Sequence, residues 1–169
     1  KLLVKVDDVV KAGTPIFYDK DNSEIKFASP ISGKVSAINR GERRKILEIV
    51  IEASSTQDYL HHDVSEISKL SREQIINYML ENGLWAFVIQ RPFGTIANHK
   101  APPKAIFISG FDTSPLAPDL EFILKGEENN LQTGIDILKK LTEGNIHVGI
   151  NGNLKNPSIF QNLKNIEIT

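Results

Sequence analysis

Between Glu24 and Ile38 the chain alternates, breaks and alternates again. Ile25 and Phe27 fall between Glu24, Lys26 and Ala28, the period of two expected of a half-buried strand. Ser29-Pro30-Ile31-Ser32-Gly33 interrupts the run. Pro30 fixes φ and has no amide to donate, which places it at a corner or a strand start. Gly33 is expected to hold a conformation that a side chain would resist, and Lys34 to Ile38 resumes the strand. Val4 to Phe17 follows the same logic: alternating valines, a corner at Gly13 and Pro15, then the pair Ile16-Phe17. A third run, Lys45 to Glu52, is aliphatic, with Glu48 and Glu52 in step with a pleat. These patterns predict an all-β module over residues 1–55, with Ala53 to Asp58 as its polar exit.

The period then changes. Ser71 reads as a helix N-cap, with Gln74 completing a capping box and Leu70 and Ile75 in the staple positions. Ile75, Ile76, Met79, Leu80 and Leu84 form one apolar stripe, and Gly83 ends the helix as a C′ glycine. This capped helix over 71–83 is the core of a connector spanning 56–100. Leu84 to Ile96 is strongly apolar, holds the single tryptophan, Trp85, and is expected to bury against the β module, with Arg91 to Gly94 as a turn. Asn98 to Pro103 reads as a polar linker.

From residue 101 an α/β pattern begins. Ala105 to Ser109 is a short continuous apolar run, as for a strand covered on both faces. Leu120 to Leu124 suggests a short helix. Leu131, Ile135, Leu138 and Leu141 fall on one face of a longer one, ended by Gly144-Asn145. Ile146 to Ile150 is a second strand, Asn151 to Asn153 a turn, Pro157 to Leu163 one or two helical turns, and Ile166 to Ile168 a third strand. The order β-α-β-α-β favours a parallel sheet with right-handed crossovers, so 101–169 is expected to be a partial Rossmann-like domain.

Composition narrows the function. The 169 residues carry 20 Lys+Arg against 21 Asp+Glu, a balance with no signature of nucleic-acid binding. The one dense basic run, Arg40 to Lys45, contains Glu42 and has no aromatic neighbour for base stacking; it reads as an exposed hairpin. There is no cysteine, which removes disulfides, thiolate catalysis and Cys-ligated metal or cluster chemistry from these residues. No apolar run is long enough for a membrane span. His61-His62-Asp63 is better read as a surface loop than as a metal site, because adjacent residues of an extended chain point to opposite faces. The chain opens at Lys1, already inside a strand pattern, as a fragment would. The best ligand-site candidate is the loop from Phe111 to Asp119, which leaves the C-terminal end of an expected parallel strand, where open α/β sheets bind ligands. Asp112, Thr113, Ser114 and Asp119 supply its hydrogen-bonding groups. Their structural alternative is an Asx turn at Asp112 and a helix N-cap at Asp119.

The two β halves resemble the barrel-sandwich hybrid of lipoyl and biotinyl carrier domains. Asp7 stands where such domains often have a glycine, and Asp tolerates the left-handed region better than most residues. Carriers modify a lysine at the tip of the hairpin between the halves. Counted back from Pro30 that position is Asn22, while Lys20 and Lys26 are out of register and read as surface lysines. The resemblance therefore implies the carrier fold without its cofactor.

Taken in order, Val10–Pro15, Phe27–Gly33, Ile38–Arg44, Gly83–Phe87, Gln90–Pro92, Pro103–Phe107 and Phe111–Asp119 are similar to the A-subunit family of the bacterial sodium-translocating NADH:quinone reductase (Na+-NQR). The similarity covers essentially the whole chain and implies a longer subunit, with a first strand and a C-terminal portion beyond these residues. That family is distantly similar to the C-subunit of the Rnf electron-transfer complex and to the flavin subunit of respiratory complex I. Those relatives carry a glycine-rich loop after the capped helix that cradles FMN and NADH, since only bare backbone amides approach phosphates. Here Trp85, Phe87, Val88 and Ile89 occupy that region and only Gly94 remains. The resemblance thus implies a peripheral subunit on the cytoplasmic face of the bacterial inner membrane, with the other subunits of the Na+-NQR complex as partners. It would support electron transfer from NADH to ubiquinone coupled to Na+ export. Quinone is a candidate ligand, notably of the Trp85–Phe93 segment. FMN and NADH belong to the whole complex, no cofactor, metal or catalytic residue is expected on this chain, and the fragment alone is expected to be inactive. The alternatives are a non-catalytic scaffold that reuses the carrier fold, and a true carrier domain, against which Asn22 argues.

Overall fold

The computed structural model describes residues 1–62, 66–152 and 158–169. Asp63, and the Asn153 and Pro157 of the turns predicted after the second α/β strand, lie outside them. Packing separates two compact units, Lys1–Val64 with Glu73–Asn98, and Ser65–Arg72 with His99–Thr169.

The first unit opens with β1 (Val9–Val10), β2 (Pro15–Tyr18), β3 (Lys26–Ala28), β4 (Gly33–Arg40) and β5 (Ile46–Ala53). These strands pair antiparallel, in the orders β1-β4-β5 and β2-β3. Val10, Ile16 and Val35 form the core, packed by Val4, Phe17, Ile38, Ile49 and Ile51. Burial of these apolar side chains, roughly 1.5–3 kcal/mol each, is what holds so small a sandwich together. Phe17 stacks on Phe27 with ring centres 4.5 Å apart. The predicted corners join the halves: the Gly13 amide donates to Ser29 and the Ser29 amide to Thr14. Asp7 does adopt the left-handed region, with φ of 77°. The polar exit is tied down more firmly than its composition suggested. Gln57 Oε1 accepts from the Ser32 amide at 2.8 Å, and the buried Ser32 hydroxyl accepts from the Asp58 amide at 2.8 Å.

Gly33 departs from expectation. It is not among the glycines at positive φ. Its constraint is space, because a β-carbon there would stand 2.1 Å from the Glu52 carbonyl oxygen of the paired strand.

The capped helix is α1 (Arg72–Glu81), which begins directly after Ser71. Ile75, Ile76 and Leu80 are buried as predicted. Gly83 has φ of 73° and the Leu84 amide closes back onto Met79. That reversal takes Leu84 off the stripe and leaves it exposed. A 3-10 turn, Trp85–Phe87, leads to the hairpin β6 (Ile89–Gln90) and β7 (Thr95–Ile96).

In the second unit β8 (Ile106–Ser109) is followed by α2 (Leu120–Ile123), α3 (Glu128–Lys139), β9 (Ile146–Gly149), a 3-10 turn at Ile159–Asn162 and β10 (Glu167–Ile168). The sheet runs β10-β9-β8 and is parallel throughout, as the β-α-β-α-β order predicted. Ile135 of α3, Ile146 and Val148 of β9 and Phe160 of the 3-10 turn form its core, with Ile106 and Ile108 packed against them. The apolar run of β8 had suggested a strand covered on both faces. Only one face is covered: Phe107 is 73% exposed, because α3 and the 3-10 turn both pack on the opposite side.

Candidate functional site

The loop after β8 encloses an open pocket of about 530 Å³ lined by Ser109, Phe111, Asp112, Thr113, Pro118 and Leu120. Gly110 anchors the loop by donating its amide to Gly149 at 2.7 Å. Of the four predicted site residues, Asp112 and Thr113 line the pocket. Asp112 Oδ1 accepts from the Ser114 amide at 2.8 Å and from the Ser114 hydroxyl at 2.7 Å. The Ser114 hydroxyl, with help from the Ser114 amide, holds the Asp112 carboxyl below the usual carboxylate range. Asp119 is the N-cap of α2, accepting from the Glu121 and Phe122 amides at 3.0 and 3.4 Å, and it does not line the pocket. Both carboxylates are thus engaged in turn and cap geometry.

The chemistry open to this pocket follows. Ser114 donates to a carboxylate of depressed basicity, so Asp112 is a weak general base and the serine is not activated. Among the described residues no Lys, Arg or His lines the walls, which leaves hydroxyl and backbone groups for binding and no cationic side chain to pair with an anion. Among the same residues, no group of three or more His, Cys, Asp or Glu is placed to hold a metal. His62 of the His61–His62 pair packs edge-on against Tyr78, with ring centres 5.7 Å apart.

One residue that shapes the loop escaped the sequence reading. Glu121 accepts from the Ile159 amide at 2.8 Å and from the Ser158 hydroxyl, pinning the start of α2 to the turn before β10. Its partners lie 37 and 38 residues away, beyond the reach of any local pattern. An acid in a helix's first turn beside an Asp cap was the available signal, and it reads equally well as dipole compensation.

The segment after α1, the region in which the resemblance implies a glycine-rich loop for the distant flavin-binding relatives, is folded on itself. Trp85 is 5% exposed and its indole donates to the Ala97 carbonyl at 2.8 Å. The amides of Phe87, Val88, Gly94 and Ala97 donate to Leu84, Trp85, Gln90 and Val88 respectively. Burial of the whole segment, the sequence expectation, holds for Trp85 only: Phe87 and Phe93 are 83% and 76% exposed.

Compared with known families, residues 70–169 match the one described as NqrA second alpha/beta domain. The chain belongs to the NqrA family. Residues 1–54 match the NqrA N-terminal barrel-sandwich hybrid domain, in agreement with the fold of β1 to β5. The family's second domain begins at residue 70, whereas packing groups Glu73–Asn98 with the barrel. Within that unit Gly83 lies close against β3, where a β-carbon would meet the Ala28 amide nitrogen at 3.0 Å. Similar proteins include the Na(+)-translocating NADH-quinone reductase A-subunit of Yersinia pseudotuberculosis serotype O:1b (strain IP 31758), 41% identical over 149 residues, 87% of this chain and 33% of the relative. The A-subunit of Photorhabdus laumondii subsp. laumondii is 38% identical over the same shares. That of Histophilus somni (strain 2336) is 35% identical over 92% of this chain and 35% of the relative. The chain therefore spans about a third of the length of the curated NqrA relatives it matches. Among the described residues, no helix is long and apolar enough to cross a membrane.

Proposed function

We propose that this chain is part of the peripheral NqrA subunit of a sodium-pumping NADH:quinone reductase. In this reading it supports electron transfer from NADH to quinone without carrying a redox cofactor itself. It sits on the cytoplasmic face of the bacterial inner membrane, bound to the flavin-bearing subunits. The observation that carries the proposal is the segment after α1. Where the resemblance implies bare backbone amides that hold phosphate in the flavin subunits, here the amides of Phe87, Val88, Gly94 and Ala97 donate to carbonyls of the same segment and Trp85 is buried. What the segment offers outward is apolar: Phe87, Ile89 and Phe93 are exposed, the surface we assign to contact with the rest of the complex, quinone included. The loop of Asp112, Thr113, Ser114 and Asp119 is the second candidate contact, for a ligand with hydroxyl or amide donors.

The test is affinity purification of the full-length protein from membranes of a host that expresses the complex. Stoichiometric recovery of a membrane flavoprotein assembly with NADH:quinone activity is the expected result. Recovery of the tagged protein by itself, with activity intact in the depleted membranes, would remove it from the enzyme.

A further inference from the structure

The tip that joins β4 to β5 carries a charge pattern that the site described above does not use. Arg40, Arg43, Arg44 and Lys45 are four cations in six residues, with Glu42 the single acid, in a chain whose net charge is -1. All five side chains are exposed. The 3-10 stretch Glu42–Arg44 is left-handed at its centre: Arg43 has φ of 54° and ψ of 29°, and Arg44 has φ of 61°. The Lys45 amide donates to the Glu42 carbonyl at 3.1 Å, and the Gly41 amide to the Lys45 carbonyl at 2.8 Å. Positive φ at both central positions is the type I′ geometry, which strongly favours Asn-Gly. We propose that this tip is an electrostatic foot that seats the protein on the anionic phosphate headgroups of a membrane surface.

Three observations converge on that partner. The first is the turn itself. Among the described residues, Arg43 and Arg44 are the only adjacent pair other than glycine at positive φ, so the backbone is strained where Asn-Gly would relieve it. Such strain persists where function requires the side chain. What the two arginines supply, and Asn-Gly would not, is charge. The second is availability. Arg40 braces the turn, donating from Nη1 to the Arg44 carbonyl at 3.1 Å. The Glu48 carboxylate on β5 is taken by the Asn39 amide group at 2.5 Å. Among the described residues no ion pair involves Arg43, Arg44 or Lys45, so three cations are left for a partner. The third is the neighbour. Leu47 is 64% exposed and lies over Gly41, where a β-carbon would meet its Cδ1 at 3.2 Å. Bare methyl groups beside exposed cations match the boundary between headgroups and acyl chains, which accommodates both. An acidic protein patch would answer the charges alone, and a nucleic acid would call for stacking rings, which the run lacks. The inference rests on the function proposed above only in placing a membrane beside the protein.

The test uses the purified full-length protein and no other subunit, so it can fail while the subunit reading stands, and the converse. The protein is sedimented with vesicles of phosphatidylcholine containing about one-third phosphatidylglycerol, and with vesicles of phosphatidylcholine alone. Binding to the anionic vesicles only is expected, weakening as added salt screens the charges. The deciding variant combines Arg43→Asn with Arg44→Gly. It installs the residues that the turn prefers, so its unfolding midpoint should stay or rise. Its partition onto anionic vesicles should nevertheless fall about 25-fold, roughly fivefold for each cation removed. Arg43→Lys with Arg44→Lys keeps the charges and should hold partition within about threefold of the parent. Unchanged partition of the deciding variant would overturn the proposal, and so would a lowered midpoint, which would mean that the arginines serve the fold. Equal binding of the parent protein to both kinds of vesicle, or binding to neither, would also overturn it. So would loss of the deciding variant from the detergent-solubilised complex with vesicle binding intact, which assigns the tip to an acidic protein partner.

Discussion

Gly33 and Lys34 are neighbours on β4 with opposite tolerances. A β-carbon at Gly33 would overlap the Glu52 carbonyl oxygen, which belongs to the backbone of β5 and cannot step aside without breaking the pairing. Gly33→Val is therefore expected to destabilise the barrel by at least ~2 kcal/mol, at the upper end of overpacking costs. Lys34 pairs with Asp7 at 2.6 Å, but both side chains are mostly exposed, and exposed pairs contribute little. Lys34→Ala should shift the denaturant midpoint several times less, and equal shifts would remove Gly33 from its role as the close contact. The sequence located the right residue for the wrong reason: the interruption at Pro30–Gly33 was visible, whereas the approach of β5 from farther down the chain was not. Asp112 gives a second test at this scale. Its carboxyl titrates below the ordinary value of 3.8, chiefly through the Ser114 hydroxyl. A depressed acid stabilises the fold above its unfolded pKa, and that contribution is lost as pH falls through the folded pKa. Ser114→Ala should raise the Asp112 titration toward 3.8 in a carboxyl NMR experiment, and an unmoved titration would mean that the Asx turn does not hold the carboxylate.

Elements with a sustained period were legible, and those without one were not. The stripe of α1, the α3 spacing of Leu131, Ile135 and Leu138, and the alternation of β4 and β5 all repeat often enough to reveal a face. The segment from Leu84 to Ile96 is a 3-10 turn followed by strands of two residues each. It has no length over which a period can show. Which of its rings points inward is set by the positive φ of Gly83 and by the indole bond to Ala97. Two substitutions separate the buried ring from the exposed one. Trp85→Ala should cost about 3–5 kcal/mol, the range for a buried aromatic that leaves a cavity, and it also strips the Ala97 carbonyl of its donor. Phe87→Ser, at a position 83% exposed, should stay within about 0.5 kcal/mol. Circular dichroism during denaturant unfolding gives both values, and a large loss at Phe87 would mean that its ring is covered.

At the scale of the whole molecule, parallel pairing followed from the alternation of elements, because handedness leaves few topologies for β-α-β-α-β. The coverage of the sheet did not follow, since an apolar run looks the same whether its second face is buried or bare. The two loop carboxylates show the same limit: the types of side chain were right for a ligand site, but their partners, Ser114 and the α2 amides, lie so close in sequence that cap and turn geometry uses them first. The segment after α1 leads to the sharpest expectation for the protein as a whole. A pyrophosphate cradle requires several amides facing outward with no side chain between them and the ligand. Here the amides of Leu84, Phe87, Val88, Gly94 and Ala97 all donate to carbonyls of the same stretch or of α1, and Arg91 is its sole cationic side chain. Opening such a cradle would mean breaking several of these bonds, at roughly 0.5–1.5 kcal/mol each, and drawing the Trp85 ring out of its packing. The purified full-length protein, titrated with FMN and separately with NADH and followed by fluorescence, should therefore show no saturable binding at micromolar ligand and no NADH oxidation. Saturation by either ligand would mean that a nucleotide cleft persists and that the backbone from Trp85 to Gly94 opens in solution.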